Sequence, residues 1–104
     1  MEKQKILIAD DSEMNRALLV DILEDQYDIV EADNGAAAID LLTQCGGDFS
    51  LLLLDIMMPE MDGFEVLAYI NRYHLNDTLA VIMISADDSP ANIKRAYDLG
   101  AFDY

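Results

Sequence analysis

The sequence predicts an α/β domain, a doubly wound parallel sheet with helices on both of its faces. Short apolar runs alternate with helical patterns along the chain, in the order βαβαβαβα. Each connection contains a helix long enough for a right-handed crossover, which is what parallel neighbouring strands require. The chain has 104 residues, 53% of them hydrophobic, and this suits one compact domain with one core.

The first strand and the first helix are predicted from the opening residues. Lys5–Ala9 has the pattern of a buried strand, and Ser12 has the residue type and position of an N-cap for the helix that follows. The apolar residues of that helix form one face, as in a helix that packs against a core: Met14, Leu18 and Ile22, widened by Leu19 and Leu23.

The middle of the chain predicts two strands and the helix between them. Tyr27–Ala32 has a strand pattern, and Asp33-Asn34-Gly35 follows it as a turn signal. Ala36–Gln44 is predicted to be helical and to stop at Gly46-Gly47. Phe49–Leu54 is almost wholly apolar, which is typical of a central parallel strand buried on both faces.

The last third of the chain adds two helices and one strand. Phe64–Tyr73 is predicted to be a helix, and Leu79–Ile84 a fourth strand. Ser89-Pro90 begins a fourth helix, with Ser as N-cap and Pro in the first turn, and Gly100 ends it.

Acidic and hydroxyl side chains stand directly after three of the predicted strands. Asp10 and Asp11 follow the first strand, Asp55 follows the third and Ser85 the fourth. In such sheets ligands bind outside the carboxyl ends of the strands, where the strand order reverses. If the first and third strands are neighbours, the three carboxylates converge there and repel one another. Without a nearby Lys or Arg such a cluster favours a cation, and oxygen ligands favour Mg²⁺.

A carboxylate beside a divalent cation can attack a phosphoryl group and form an acyl phosphate. Asp55 is the best candidate nucleophile, because it ends the most apolar strand and uncharged residues follow it. Asp10 and Asp11 would then be metal ligands, and Ser85 could donate a hydrogen bond to a phosphoryl oxygen.

Charge and cysteine content exclude several function classes. The formal net charge of −15 argues against nucleic-acid binding and against an anionic membrane surface, and it suits a cation or a basic partner. The single cysteine, Cys45, cannot form an internal disulfide, and the four-residue apolar segment near the N-terminus is too short for a signal peptide or a membrane span. We therefore expect a cytoplasmic protein.

Four segments carry a resemblance to a known family: Asp10-Asp11-Ser12, the run from Leu54 to Gly63, Ile84-Ser85-Ala86, and the run from Gly100 to Tyr104. In this order and at this spacing they resemble the receiver domains of two-component response regulators. The match covers essentially the whole chain. The resemblance implies a flavodoxin-like receiver fold with strand order 2-1-3-4, and a role as a phosphoacceptor signalling domain, not as a conventional multi-turnover enzyme.

The resemblance also implies roles for individual residues. Asp11 and Asp55 would bind Mg²⁺ directly, Asp10 would assist, and the backbone carbonyl of Met57 would be a further ligand. Asp55 would accept the phosphoryl group from a phosphohistidine on a sensor histidine kinase or phosphotransfer protein. The Ser85 hydroxyl and the Tyr104 ring would act as switches. Pro59 and Asp62-Gly63 would shape the loop that carries the acceptor.

One departure from the family pattern carries a further expectation. The family continues to a Lys-Pro pair on a fifth strand and then to a fifth helix, whereas this chain ends at Tyr104. Residues 1–104 are therefore expected to be a C-terminally incomplete receiver domain, with an output domain possible beyond residue 104. Strand 79–84 would become an apolar edge and favour self-association.

Three alternatives remain open. A Mg²⁺-dependent phosphatase commonly has a second Asp two residues after its nucleophile, and Met57 stands there. A nucleotide- or flavin-binding module needs a Gly- or Ser/Thr-rich loop after the first strand, where Asp10-Asp11 would repel phosphate. The third is a receiver-like interaction module that cannot be phosphorylated, because no residue of this chain can be assigned the place of the family lysine.

Overall fold

The computed structural model describes residues 4–45, 49–58, 61–73, 79–84 and 89–104. Within these ranges strands and helices alternate in the predicted order. The elements are β1 (Lys5–Ala9), α1 (Glu13–Leu23), β2 (Asp28–Ala32), α2 (Gly35–Cys45), β3 (Phe49–Asp55), α3 (Gly63–Arg72), β4 (Ala80–Ile84) and α4 (Pro90–Asp98). The predicted bounds of the strands agree with these to within one residue, and the Gly46-Gly47 stop signal lies outside the described residues. No helix in the described ranges is long and apolar enough to cross a membrane.

The four strands form one parallel sheet in the order β2-β1-β3-β4. This confirms the predicted order and makes β1 and β3 neighbours. β3 lies at the centre of the sheet between β1 and β4, in agreement with its almost wholly apolar sequence. As a result, the residues that follow β1 and β3 leave the sheet side by side at its carboxyl end.

Most of the core lies on one face of the sheet, which we call the helical core face. It is formed by alternate strand residues, such as Leu7, Leu52 and Leu54, and by residues of α2, α3 and α4 that pack on them. Leu67 and Ile70 of α3 are completely buried there. The opposite face has a small buried cluster, Ile6, Ile8 and Leu53, which is partly covered by residues of α1.

The predicted core face of α1 is wrong. Met14, Leu18 and Ile22 are 80%, 60% and 65% exposed. The residues that pack on the sheet are Leu19 and Leu23, which were expected only to widen that face, together with Val20. α1 is apolar over so much of its circumference that periodicity alone cannot decide which side contacts the sheet.

Polar side chains begin the helices where the sequence predicts. The Ser12 hydroxyl accepts a hydrogen bond from the Asn15 N–H, and the Ser89 hydroxyl accepts one from the Asn92 N–H. The turn after β2 is itself a cap, because the Asn34 side chain accepts a hydrogen bond from the Ala37 N–H at 2.7 Å. Gly100 follows α4 with a φ of 103°, a conformation that favours glycine and ends the helix.

The outer edge of β4 is partly occupied by the last residues of the chain. The Phe102 N–H donates to the Val81 carbonyl at 2.7 Å, and the Met83 N–H donates to the Asp103 carbonyl at 3.0 Å. A single parallel bridge joins Ile82 to Asp103, and no fifth strand forms within the described residues. The edge expected to be unpaired therefore has a partner over part of its length.

Candidate functional site

Three carboxylates converge at the carboxyl end of the sheet, as the strand order requires. Asp10 and Asp11 directly follow β1, and Asp55 is the last residue of β3. Each offers one carboxylate oxygen, and these three oxygens all lie within 4.8 Å of one another. Asp10 is 3% exposed, Asp55 is half-buried and Asp11 is exposed, so the cluster opens to solvent on the Asp11 side.

Asp10 is held in place by hydrogen bonds from its own loop and from β2. Its backbone N–H donates to the Ala32 carbonyl at 3.1 Å, which extends the contact between β1 and β2 by one residue. One carboxylate oxygen accepts the Ser12 N–H at 2.9 Å, and the other accepts the Asn15 side-chain amide at 3.5 Å. A buried carboxylate of this kind requires such donors, because burial disfavours its charge.

The backbone of Asp55 is fixed by contact with the start of α3. The Gly63 N–H donates to the Ile56 carbonyl at 2.8 Å. A Cβ atom on Gly63 would lie 2.8 Å from the Ile56 Cα and would overlap the Asp55 carbonyl, so the close approach requires glycine here. Asp62 begins the same helix by a capping box with Glu65. This agrees with the expectation that Asp62-Gly63 shapes the loop around the acceptor.

The surroundings of Asp55 raise the pKa of its carboxyl group from 3.8 to about 6. Burial is the largest cause and the nearby Asp10 carboxylate is the second, while Asp11 contributes less. The Ile56 N–H, which donates to an Asp55 carboxylate oxygen at 2.9 Å, lowers the pKa in the opposite direction. Asp55 is therefore a crowded carboxyl group that still ionises below neutral pH.

The donor set fits a hard divalent cation. All three side chains offer oxygen, and none of them forms a salt bridge within the described residues. Crowded carboxylates without a basic partner gain from a cation that screens their repulsion.

The other predicted site residues have different outcomes. The side chain of Met57 is exposed beside Asp55, and Tyr104 is partly buried against the helical core face. Ser85 and Pro59 lie outside the described residues. The sequence reasoning missed Arg16, which contacts the loop of Asp10, and Glu31, which contacts Arg16. The only signal for Arg16 was a basic residue one turn after Ser12 in a chain that contains six Lys and Arg residues.

Comparison with known proteins identifies the family. The sequence profile described as "Response regulator receiver domain" matches residues 6–104. This chain belongs to that family. The predicted resemblance is thereby confirmed, and with it the assignment to two-component signalling.

Curated relatives in this family differ in length. The receiver domain is 35% identical over 105 residues to the chemotaxis protein CheY of Halobacterium salinarum, a match that covers 100% of this chain and 83% of that protein. It is 38% identical over 99 residues to a probable cyclic di-GMP phosphodiesterase of Vibrio cholerae, covering 95% of this chain and 22% of that enzyme. The chain spans between 22% and 44% of the length of four such relatives.

A solved structure shows the same fold. A chain of the CheX–CheY–BeF₃–Mg²⁺ complex from Borrelia burgdorferi superposes with a TM-score of 0.87 at 30% sequence identity. The match covers 94% of this receiver domain and 73% of that chain. The receiver fold is thus shown by the sequence profile and by structural similarity.

Proposed function

We propose that Asp55 accepts a phosphoryl group from a phosphohistidine of a sensor histidine kinase or phosphotransfer protein, in a reaction that depends on Mg²⁺. One observation carries this proposal: the half-buried Asp55 carboxylate meets the carboxylates of Asp10 and Asp11 at the open end of the sheet. An exposed Asp11 and a buried Asp10 leave one side of the cluster accessible to a donor.

The transfer uses one nucleophile, the Asp55 carboxylate. An ionised oxygen of Asp55 attacks phosphorus, the bond from phosphorus to the donor imidazole nitrogen breaks, and the imidazole leaves with that electron pair. The product is an acyl phosphate on Asp55. Because the pKa of Asp55 is about 6, its carboxyl group is ionised and nucleophilic in most molecules at neutral pH.

The residues proposed to hold Mg²⁺ are Asp11 and Asp55, with assistance from Asp10 and from the backbone carbonyl of Met57. A bound Mg²⁺ would screen the charges of the carboxylates and of the incoming phosphoryl oxygens. The hydrogen bonds from Ser12 and Asn15 hold Asp10, so its carboxylate keeps its direction whichever group approaches Asp55.

The signal that follows is proposed to pass through Ser85 and Tyr104. In this proposal the Ser85 hydroxyl donates to a phosphoryl oxygen on Asp55, and the Tyr104 ring moves with it to change a surface that an output partner reads. The partly buried Tyr104 ring packs against the helical core face, so a shift of the nearby backbone would move it.

The proposal is tested by the intact mass of the chain after incubation with Mg²⁺ and acetyl phosphate. We expect a gain of one phosphoryl group, which is lost when EDTA replaces Mg²⁺ and lost in Asp55→Asn. Asp40→Asn is the matched control, because Asp40 is exposed on α2 and is not part of the cluster. This variant should gain the phosphoryl group as the wild type does.

A wild-type chain that gains no mass would contradict the phosphoacceptor proposal and favour the interaction module that cannot be phosphorylated. A gain that persists in Asp55→Asn would place the acceptor elsewhere. Ser85→Ala is expected to keep the mass gain and to lose the accompanying change in the amide shifts of residues 101–104, which separates the switch from the transfer.

Two further expectations stay predictions. Self-association through strand 79–84 is now less favoured along Val81–Met83, where Phe102 and Asp103 donate and accept backbone hydrogen bonds. Sedimentation at micromolar concentration tests the predicted self-association, and a monodisperse monomer would contradict that prediction. The cytoplasmic location is checked by cell fractionation.

A further inference from the structure

Arg16 contacts the loop that carries the acidic cluster without contacting its carboxylates. Its guanidinium Nη1 donates to the backbone carbonyl of Asp10 at 2.6 Å. Its Nε donates to a carboxylate oxygen of Glu31 on β2 at 3.1 Å. The Arg16 side chain is 15% exposed, so one largely buried guanidinium joins α1, β2 and the loop after β1.

The bonded carbonyl belongs to the peptide between Asp10 and Asp11. A peptide unit is planar, so fixing its oxygen also fixes the direction in which the Asp11 Cα leaves the sheet. Within the described residues, the exposed Asp11 carboxylate accepts no hydrogen bond of its own, in contrast to Asp10. The position of Asp11 therefore depends on its backbone.

Glu31 accounts for the direction of the guanidinium. Arginine presents its donors in a fixed planar arrangement. In Arg16 the Nε donates to Glu31, while Nη1 donates to the Asp10 carbonyl. A guanidinium engaged in this way does not turn onto the three nearby carboxylates, where it would compete with a cation for the same oxygens.

From these contacts we propose that Arg16 and Glu31 form a clamp that positions Asp11 for Mg²⁺ while keeping the positive charge of Arg16 off the acidic cluster. Arg16 is a positioning residue in this assignment, since it acts through the Asp10-Asp11 peptide. The inference rests on the proposed function, because it presupposes that the cluster binds Mg²⁺.

The clamp and a simple charge effect predict opposite results for Arg16→Gln. Removing a positive charge near three carboxylates would by itself make a cation bind more tightly. Removing a group that orients a metal ligand makes the cation bind more weakly, typically by about tenfold or more. Mg²⁺ affinity therefore separates the two explanations by its sign.

The experiment is a Mg²⁺ titration of the folded chain followed by backbone amide shifts of residues 10–15 and 52–58. Arg16→Gln is expected to weaken binding by about tenfold. Arg72→Gln is the matched control: it removes the same charge, but from the exposed last turn of α3, at the end of that helix opposite Gly63. It should leave the affinity unchanged or slightly raised.

Glu31→Gln tests the second half of the clamp. We expect it to weaken Mg²⁺ binding, and the Arg16→Gln/Glu31→Gln double variant to bind no more weakly than Arg16→Gln alone, because both residues act through one arrangement. Additive losses of Mg²⁺ affinity would contradict the clamp and indicate that Arg16 and Glu31 act as two independent charges. If Arg16→Gln does not fold, Arg16→Lys serves instead, since a single ammonium cannot hold both partners and should also bind Mg²⁺ more weakly.

Unchanged or tighter Mg²⁺ binding in Arg16→Gln would overturn the proposal. Wild-type protein that binds no Mg²⁺ would overturn it as well. Failure of the phosphoacceptor proposal is recognised separately, by the absence of a mass gain on wild-type protein whose amide shifts do respond to Mg²⁺.

Discussion

The helical core face and the acidic cluster meet within a single strand and affect folding in opposite ways. Leu54 of β3 is completely buried under the helices, and the next residue, Asp55, points into a group of three carboxylates. Burial of the first side chain stabilises the fold, whereas burial of the second, together with the nearby Asp10 carboxylate, raises its pKa and destabilises its ionised form. The chain thus obtains its stability on one face and keeps a reactive group at the adjoining edge.

Leu67→Ala should have the largest effect on stability and none on the site. Leu67 of α3 is completely buried on the helical core face, so the substitution removes apolar contacts and leaves a cavity. We expect the free energy of unfolding to fall by about 3–4 kcal/mol. Urea denaturation measures the loss, and Mg²⁺ affinity of the remaining folded protein should match the wild type. A tenfold loss of affinity would show that the core and the cluster are coupled.

Gly63→Ala should affect both regions. The added Cβ would overlap the Asp55 carbonyl and lie 2.8 Å from the Ile56 Cα, so β3 or α3 must shift. We expect a loss of about 2 kcal/mol in the free energy of unfolding, and weaker Mg²⁺ binding because the Asp55 backbone moves.

Gly35→Ala is the control for overpacking against Met61 and Val66, in place of Asp55 and Ile56. Its Cβ would overlap the Met61 carbonyl oxygen and lie 2.8 Å from side-chain atoms of Met61 and Val66. It should destabilise the chain by a similar amount and weaken Mg²⁺ binding less than Gly63→Ala does. Equal loss of affinity in both variants would remove the special role of the Gly63 contact.

Asp55→Asn should stabilise the metal-free chain at neutral pH. The folded-state pKa of about 6 exceeds the ordinary value of 3.8, so the folded state binds the proton more tightly than the unfolded state. Stability therefore falls as the pH rises from 3.8 to 6 and stays lowered above that. Because Asp55 is only partly buried, solvent screening reduces the effect to on the order of 1 kcal/mol.

Urea denaturation in EDTA at pH 4 and pH 7.5 measures this effect. Asp55→Asn should exceed the wild type in stability at pH 7.5, and the difference should nearly vanish at pH 4. Asp40→Asn, with its exposed side chain, is the control for the removal of one carboxylate outside the cluster. A difference that is the same at both pH values would contradict the assigned cause.

The strands and the cluster were predictable because they depend on local pattern and on topology. Continuous apolar runs such as Phe49–Leu54 identify buried strands, and parallel order then brings Asp10, Asp11 and Asp55 to one edge. The contact of Arg16 with Glu31 was not predictable, since it joins a helix to a strand 15 residues further along the chain. Pairings of this kind depend on how a helix is rotated against the sheet.

A substitution on the exposed side of α1 should change the free energy of unfolding least of all, and it tests how α1 is rotated against the sheet. Leu18 belongs to the apolar row that the sequence assigned to the core, yet it is 60% exposed. Leu18→Gln removes little buried area and should change the free energy of unfolding by less than about 0.5 kcal/mol. Leu23→Gln, on the side of α1 that packs against the sheet, should cost clearly more. Equal losses of unfolding free energy in the two variants would mean that α1 is rotated about its axis. The Arg16 contact with Asp10 would then not form either, because it depends on the same orientation of α1.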